Sequence, residues 1–336
     1  MADTALMEPG QSADAPRYQP LNKAYNQVFV PGELSIGLVV PIERYDRAAV
    51  PTMADHIERA QMAERLGFVA LWLRDVPFNV PSFGDAGQMF DPFVYLGLLS
   101  GVTDQIALGT GSIVLPLRHP AHVAKASASA DVLSGGRVIM GIASGDRPDE
   151  HPALNMSFPD RGKRFRESLA YIEAMARSYP DIDNGHGLLR GDIDMLPKPT
   201  ASRVPMLITG GSQQSPDWVA QNADGWMTYP RSVPDQKRVI DAYRERITAA
   251  GCRDKPVMQS LYVDLEPDPA AAPSPIHLGF RSGVDFLRAY LDEVRTAGVN
   301  HVALNLRFNQ ADVPESLERL ADALFPHFHR HPTTSR

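Results

Sequence analysis

The sequence predicts a single α/β domain, a (β/α)8 TIM-type barrel with insertions, on three observations. From Leu34 onward, short β-branched or apolar runs alternate with longer segments of helical period. About eight such pairs can be counted, which is the arithmetic of a closed parallel barrel. The 336 residues, 43% hydrophobic and 22% charged, supply ample apolar material for one large core. Finally, Pro41-Ile42-Glu43-Arg44-Tyr45 follows the first strand where an open dinucleotide-binding sheet would carry Gly-x-Gly-x-x-Gly.

Each element has its own signal. Leu34 to Val40 reads as the first strand, stopped by Pro41. Thr52 is placed to cap a helix whose Met53, Ile57, Ala60 and Ala63 share one face, with Gly67 ending it. Val69 to Leu73 is the second strand, followed by an unusually long loop from Asp75 to Phe90. Asp91-Pro92 opens the next helix with a cap residue and a first-turn proline. Ile106 to Leu115 is a third strand containing glycines, Pro120 to Leu133 a helix, and Arg137 to Ala143 a fourth strand. An excursion from 148 to 203 then interrupts the rhythm, with one helix near Arg164 to Arg177.

The alternation resumes with strands at Pro205 to Thr209, Gly225 to Tyr229, Val257 to Leu265 and His301 to Leu306. Helices near Pro216 to Gln221, Pro234 to Ala250, Gly283 to Ala297 and Pro314 to His327 accompany them, and a proline-rich excursion occupies 266–282. The expected organisation is an N-terminal tail or arm over 1–30 and one barrel domain over 31–330.

Composition excludes several function classes. A net charge of −7 without any long Lys/Arg run argues against a nucleic-acid partner. Cys252 is the only cysteine, so neither an intrachain disulfide nor a thiolate metal cage is expected. No His-Glu-x-x-His spacing suggests a metal, and no Gly-x-Ser-x-Gly elbow supplies a hydrolase nucleophile. The first 30 residues lack the apolar core of a secretory signal and no stretch approaches a membrane span, so no membrane association and a cytoplasmic location are expected.

In a parallel barrel, functional groups gather at the carboxyl ends of the strands. That rule selects Gly109-Thr110-Gly111-Ser112 on the third strand, where glycine marks either a bulge or close approach by a flat ligand. After the fourth strand, Ser144-Gly145-Asp146-Arg147 offers backbone N–H groups, a hydroxyl and a cation suited to phosphate, although Asp146 opposes an anion. After the fifth, Gly210-Gly211-Ser212 precedes a helix, and Ser215 adds a hydroxyl. Each loop alone is equally a turn; together they suggest a shared phosphate pocket. Strand-end carboxylates such as Asp75 and Asp264 are candidates for acid–base work, with structural ion pairing as the competing reading.

Five segments in register resemble the bacterial luciferase-like family of flavin- or deazaflavin-dependent oxidoreductases over residues 34–328: Glu64 to Trp72, Leu108 to Pro116, Arg118-His119-Pro120, Leu133 to Arg137 and Ala223 to Trp226. Arg74 to Pro77, Phe90 to Phe93 and Ser144 to Pro148 are similar to a luciferase-type oxidoreductase subgroup. The resemblance implies a barrel with flavin at the strand carboxyl ends. It places a bulge, often with a non-prolyl cis peptide, at Gly111-Ser112 after Thr110, and cofactor contacts at Ser144, Gly145, Gly211, Ser212 and Ser215. Many relatives carry a histidine after the second strand; this chain has Arg74-Asp75 there, so those two are the catalytic candidates.

The function implied is a monooxygenase using reduced FMN, supplied by a separate flavin reductase, and dioxygen on a small-molecule substrate. An F420-dependent hydride-transfer oxidoreductase is the alternative with the same ring chemistry. The missing histidine leaves a third, a flavin-binding barrel without turnover. Family resemblance also implies a homodimer.

Overall fold

A computed structural model describes residues 18–84 and 87–328. Eight strands close a parallel barrel: β1 (Ser35–Val39), β2 (Ala70–Leu73), β3 (Ala107–Val114), β4 (Val138–Ala143), then β7 (Met206–Thr209), β8 (Gly225–Thr228), β9 (Val257–Leu265) and β12 (His301–Asn305). The gaps in this series are filled by two antiparallel hairpins, β5 (Asp181–Asn184) with β6 (Gly187–Arg190), and β10 (Ser274–Ile276) with β11 (Gly279–Ser282). Closure comes from β8 pairing with β9 and β12 with β1. All barrel pairings are parallel, so every strand ends on the same face.

The helices are α1 (Lys23–Val28), α2 (His56–Leu66), α3 (Pro92–Val102), α4 (Pro120–Leu133), α5 (Glu150–Ala153), α6 (Arg161–Met175), α7 (Pro216–Asn222), α8 (Val233–Ala249), α9 (Val284–Thr296) and α10 (Val313–Phe328). Alternation along the strands divides the core in two. Ile36 and Leu38, Val138 and Met140, and Val302 and Leu304 point outward against the helices. Val39, Trp72, Ala107, Ile139, Leu207, Met227, Met258 and Ala303, one from each strand, fill the interior.

Residues 1–17 of the expected arm lie outside the described residues. Residues 18–30 hold α1, whose Tyr25 and Val28, followed by Phe29, pack with that interior cluster. The helix sits at the strand starts, because Asn22 donates to Val138 O at 2.7 Å and Ser35 Oγ to Val28 O at 2.7 Å. The opposite end, where the strands finish, is thereby the open one.

One cap differs from expectation. Thr52 does not start α2; its hydroxyl donates to Glu43 Oε2 at 3.0 Å and accepts from the Ala54 N–H at 3.1 Å. Met53 and Asp55 then take left-handed conformations, φ 56° and 54°, and delay the helix to His56. The 148–203 excursion contributes α5, α6 and the first hairpin, and the 266–282 excursion the second.

Candidate functional site

A cavity of about 690 Å³ opens at the carboxyl ends of the strands, within the range of small-molecule sites. Its floor is β3. The Gly109 Cα faces the indole of Trp72 so closely that a Cβ would lie 2.3 Å from the ring, which explains that glycine as a packing requirement. Trp72 is fixed in turn: Nε1 donates to His301 Nε2 at 2.8 Å, and His301 Nδ1 meets Ser35 Oγ at 2.7 Å. The β3–β4 register breaks between Thr110 and Ile113, and the Gly111–Ser112 peptide bond within that bulge is cis. Both residues face the cavity.

The bulge is tied to its neighbours. Thr110, fully buried, donates to Gly141 O at 2.8 Å across to β4. Ser112 Oγ lies 2.5 Å from Thr209 Oγ1 at the end of β7, and both contact the thioether of Met227. Ser144 and Gly145 after β4, with φ +83° at Gly145, and Gly210 and Ser212 after β7, with φ +54° and +43°, complete one side. A Cβ on Gly145 would also approach Val114 to 2.8 Å. Ser212 Oγ donates to Thr209 O at 2.8 Å, holding the β7 loop against the strand end.

Of the residues singled out in the sequence, Arg74, Asp75, Gly111, Ser112, Ser144, Gly145, Asp146, Arg147, Gly210 and Ser212 line this one cavity. Thr110, Gly211 and Ser215 do not appear among its walls. Thr110 is spent on Gly141, and Ser215 caps α7 by accepting from the Trp218 N–H at 3.2 Å.

Asp75 is committed to structure. Its carboxylate accepts from Arg118 Nη2 at 2.7 Å, from Arg118 Nε at 3.0 Å and from the Val114 N–H at 3.1 Å. Arg118 reaches on to Asp91 at 2.8 Å, and Asp91 caps α3 through the Phe93 and Val94 N–H groups. Burial alone would lower the Arg118 pKa, but the two carboxylates raise it above its ordinary value. The network thus locks the loop after β2 to the loop after β3 and the start of α3.

Sequence reasoning missed most of the remaining wall: Phe83, Glu150, Tyr229, Tyr262, His277, Leu278 and Arg307. Glu150 is the chemically unusual one. It is 2% exposed, its Oε1 accepts no hydrogen bond among the described residues, and Arg147 Nη1 stands 4.0 Å away. Burial pushes its carboxyl up to about 7; Arg147 opposes the shift, while Asp75 and Asp146 add to it. Arg147 itself is stacked under Phe83, 4.0 Å from the ring centre, by which the loop after β2 covers the loop after β4. The available signal was positional: Glu150 opens a short helix just past a strand-end loop already suspected.

Known proteins share the family and the fold. An F420-dependent hydroxymycolic acid dehydrogenase of Mycobacterium tuberculosis (strain ATCC 25618 / H37Rv) is 27% identical over 249 residues, covering 72% of this chain and 66% of that protein. The oxygenase component of a flavin-dependent trigonelline monooxygenase of Acinetobacter baylyi (strain ATCC 33305 / BD413 / ADP1) is 30% identical over 166 residues, 49% of this chain and 42% of that one. A solved F420-dependent secondary alcohol dehydrogenase, in complex with an F420–acetone adduct, superposes with a TM-score of 0.72 at 18% identity, over 87% of this chain and 98% of that chain. Among the described residues, no helix is long and apolar enough to cross a membrane. The family model for luciferase-like monooxygenases matches residues 33–325, and the chain belongs to that family.

Proposed function

We propose that the cavity holds a flavin-type cofactor against the β3 bulge and that the protein is a monooxygenase using reduced FMN, delivered by a separate reductase, on a small organic substrate. The observation carrying this reading is convergence. Gly111-Ser112, Ser144-Gly145, and Gly210 with Ser212 belong to three strand ends, and the closed barrel brings them around one cavity. The residues fit such a group. A Cβ on Gly111 would meet its nearest neighbour, Met227 Cε, only at 3.6 Å, so the bare glycine leaves a flat face. The hydroxyls of Ser112, Ser144 and Ser212 and the small residues of the two loops suit ring heteroatoms and a phosphate. The bound flavin would supply the redox chemistry. The protein's residues hold the ring, and Phe83 with Arg147 limits water access from one side.

A second reading, hydride transfer with F420, is favoured by the F420-dependent relative that spans 72% of the chain. Anaerobic titration with reduced FMN and with F420, followed by oxygen-uptake measurement, separates the two. The proposal expects tight reduced-FMN binding and oxygen consumption; F420 binding alone without oxygen uptake would overturn it in favour of the second.

The homodimer expectation has a surface to rest on. Val94 and Leu98 on α3 are 73% and 42% exposed, and Leu133 at the end of neighbouring α4 is 71% exposed. Val94→Glu with Leu98→Glu should convert a dimer to a monomer in sedimentation velocity; a wild-type monomer refutes the assignment.

A further inference from the structure

A hydrogen-bond chain crosses the barrel interior from the end covered by α1 toward the cavity floor. Ser35 and His301 open β1 and β12, and Trp72 stands next to last in β2. His301 and Trp72 are 0% and 1% exposed. Trp72 belongs to the apolar cluster that runs from Tyr25 and Val28 of α1 to Met227 of β8.

The ends of the chain set its direction. An indole N–H only donates, so His301 Nε2, 2.8 Å from Trp72 Nε1, is the acceptor. The imidazole hydrogen then sits on Nδ1 and is donated to Ser35 Oγ at 2.7 Å. Ser35 passes its own hydrogen to the carbonyl of Val28, the last residue of α1, at 2.7 Å; Asn300 O is the more distant acceptor at 3.4 Å. In the other tautomer two N–H groups would face each other between His301 and Trp72 and leave a buried donor unpaired. The Ser35 hydroxyl therefore decides whether the indole bond exists.

Two glycines make room for the pair. A Cβ on Gly37 of β1 would lie 2.9 Å from His301 Nε2, and one on Gly109 of β3 would lie 2.3 Å from the Trp72 ring. The indole is thus pressed against the strand that forms the floor. Trp72 Cβ also stands 3.9 Å from where a Gly111 Cβ would be, and the Met227 thioether, from the same interior cluster, meets Ser112 Oγ at 3.7 Å.

We propose that Ser35, His301 and Trp72 are positioning residues for the cofactor: α1 fixes the imidazole tautomer through Ser35, the imidazole fixes the indole, and the indole holds the Gly109 to Ser112 segment as the floor under the ring. The proposal rests on that segment being the cofactor floor.

Three variants of the full chain test it, with a fourth as control. Ser35→Ala removes the acceptor of the Nδ1 hydrogen, Trp72→Phe removes the indole donor while keeping a ring, and Ser35→Thr restores a hydroxyl. Leu287→Ala, at a fully buried position of α9 in the outer core, lowers stability without touching the chain. Each protein is titrated anaerobically with reduced FMN and with F420, well below its unfolding midpoint. The circular dichroism of the bound cofactor, which reports the asymmetry around its ring, is recorded alongside. Ser35→Ala and Trp72→Phe should bind about three- to tenfold more weakly, the scale of one buried hydrogen bond, with an altered dichroism band. Ser35→Thr should stay within about twofold of wild type in affinity, and so should Leu287→Ala, although its midpoint falls at least as far as that of Ser35→Ala. Wild-type affinity and dichroism in both Ser35→Ala and Trp72→Phe, or an equal loss of affinity in Leu287→Ala, overturns the proposal and leaves the cradle reading standing. A wild-type chain that binds neither cofactor overturns the cradle reading, and this proposal with it.

Discussion

Glu150→Gln tests the cavity carboxyl that burial pushes up to about 7. The native carboxyl titrates at about 7 against an ordinary 4.5. Its folded pKa is raised, so the stability tied to its protonated form is complete below the unfolded pKa and is lost as pH rises through the folded one. At about 1.36 kcal/mol for each pKa unit, the full difference is about 3 kcal/mol. Integrated over the assay window, about 2–3 kcal/mol disappears between pH 5 and pH 8. Glutamine keeps the shape and the acceptor oxygen without titrating. Urea unfolding at pH 5, 6, 7 and 8 should therefore show wild type falling relative to Glu150→Gln by about that amount, with the variant the more stable protein at pH 8. Titrating groups remote from Glu150 are common to both chains and cancel in the difference. Parallel stability profiles would refute the reasoning, because they would mean that the buried carboxyl is ionised in the folded protein throughout.

Two further substitutions test the frame around the site. Asp75→Ala removes the 1%-exposed partner of Arg118, and loss of one member of such a pair costs about 3–5 kcal/mol; the retained Asp91 contact places the expectation at about 3 in urea unfolding. A loss below about 1 kcal/mol would show the pair to be as weak as a surface one. Gly109→Ala forces a methyl against the Trp72 ring and should cost about 1–3 kcal/mol, seen as a lowered unfolding midpoint. An unchanged midpoint would mean that Trp72 and its His301 bond can shift freely.

The barrel was legible because its cause is periodic. Strand runs of four to nine residues alternating with helical stretches survive in one dimension, and the eight barrel strands stand where the alternation puts them. The two hairpins were illegible for a related reason. Residues 181–190 and 274–282 hold short, partly exposed strands, with Asp181, Asp183, Gly185 and Gly187 in the first and Pro275 and Gly279 in the second, and they carry little of the apolar alternation that marks a buried strand. The cap at Thr52 failed on a local competition: the hydroxyl was placed for a helix start, but Glu43, which accepts from both the Thr52 N–H and its hydroxyl, holds that residue in a turn.

Within the site, sequence reasoning found positions more readily than roles. The strand-end rule and the family resemblance together found ten residues that line one cavity, yet the rule treats every carboxylate there alike. Asp75 and Glu150 both line the wall, and both stand near an arginine. Arg118 meets Asp75 with two hydrogen bonds at 2.7 and 3.0 Å, whereas Arg147 stands 4.0 Å from Glu150 and is stacked on Phe83. That difference leaves the first carboxylate bound into a structural network and the second raised by burial to about 7. It is set by Phe83, Arg118 and the loop after β4, which meet only when the barrel closes, so no spacing in the chain records it. The same holds for His277, which reaches the cavity only because Gly279 lets its hairpin lie on β9.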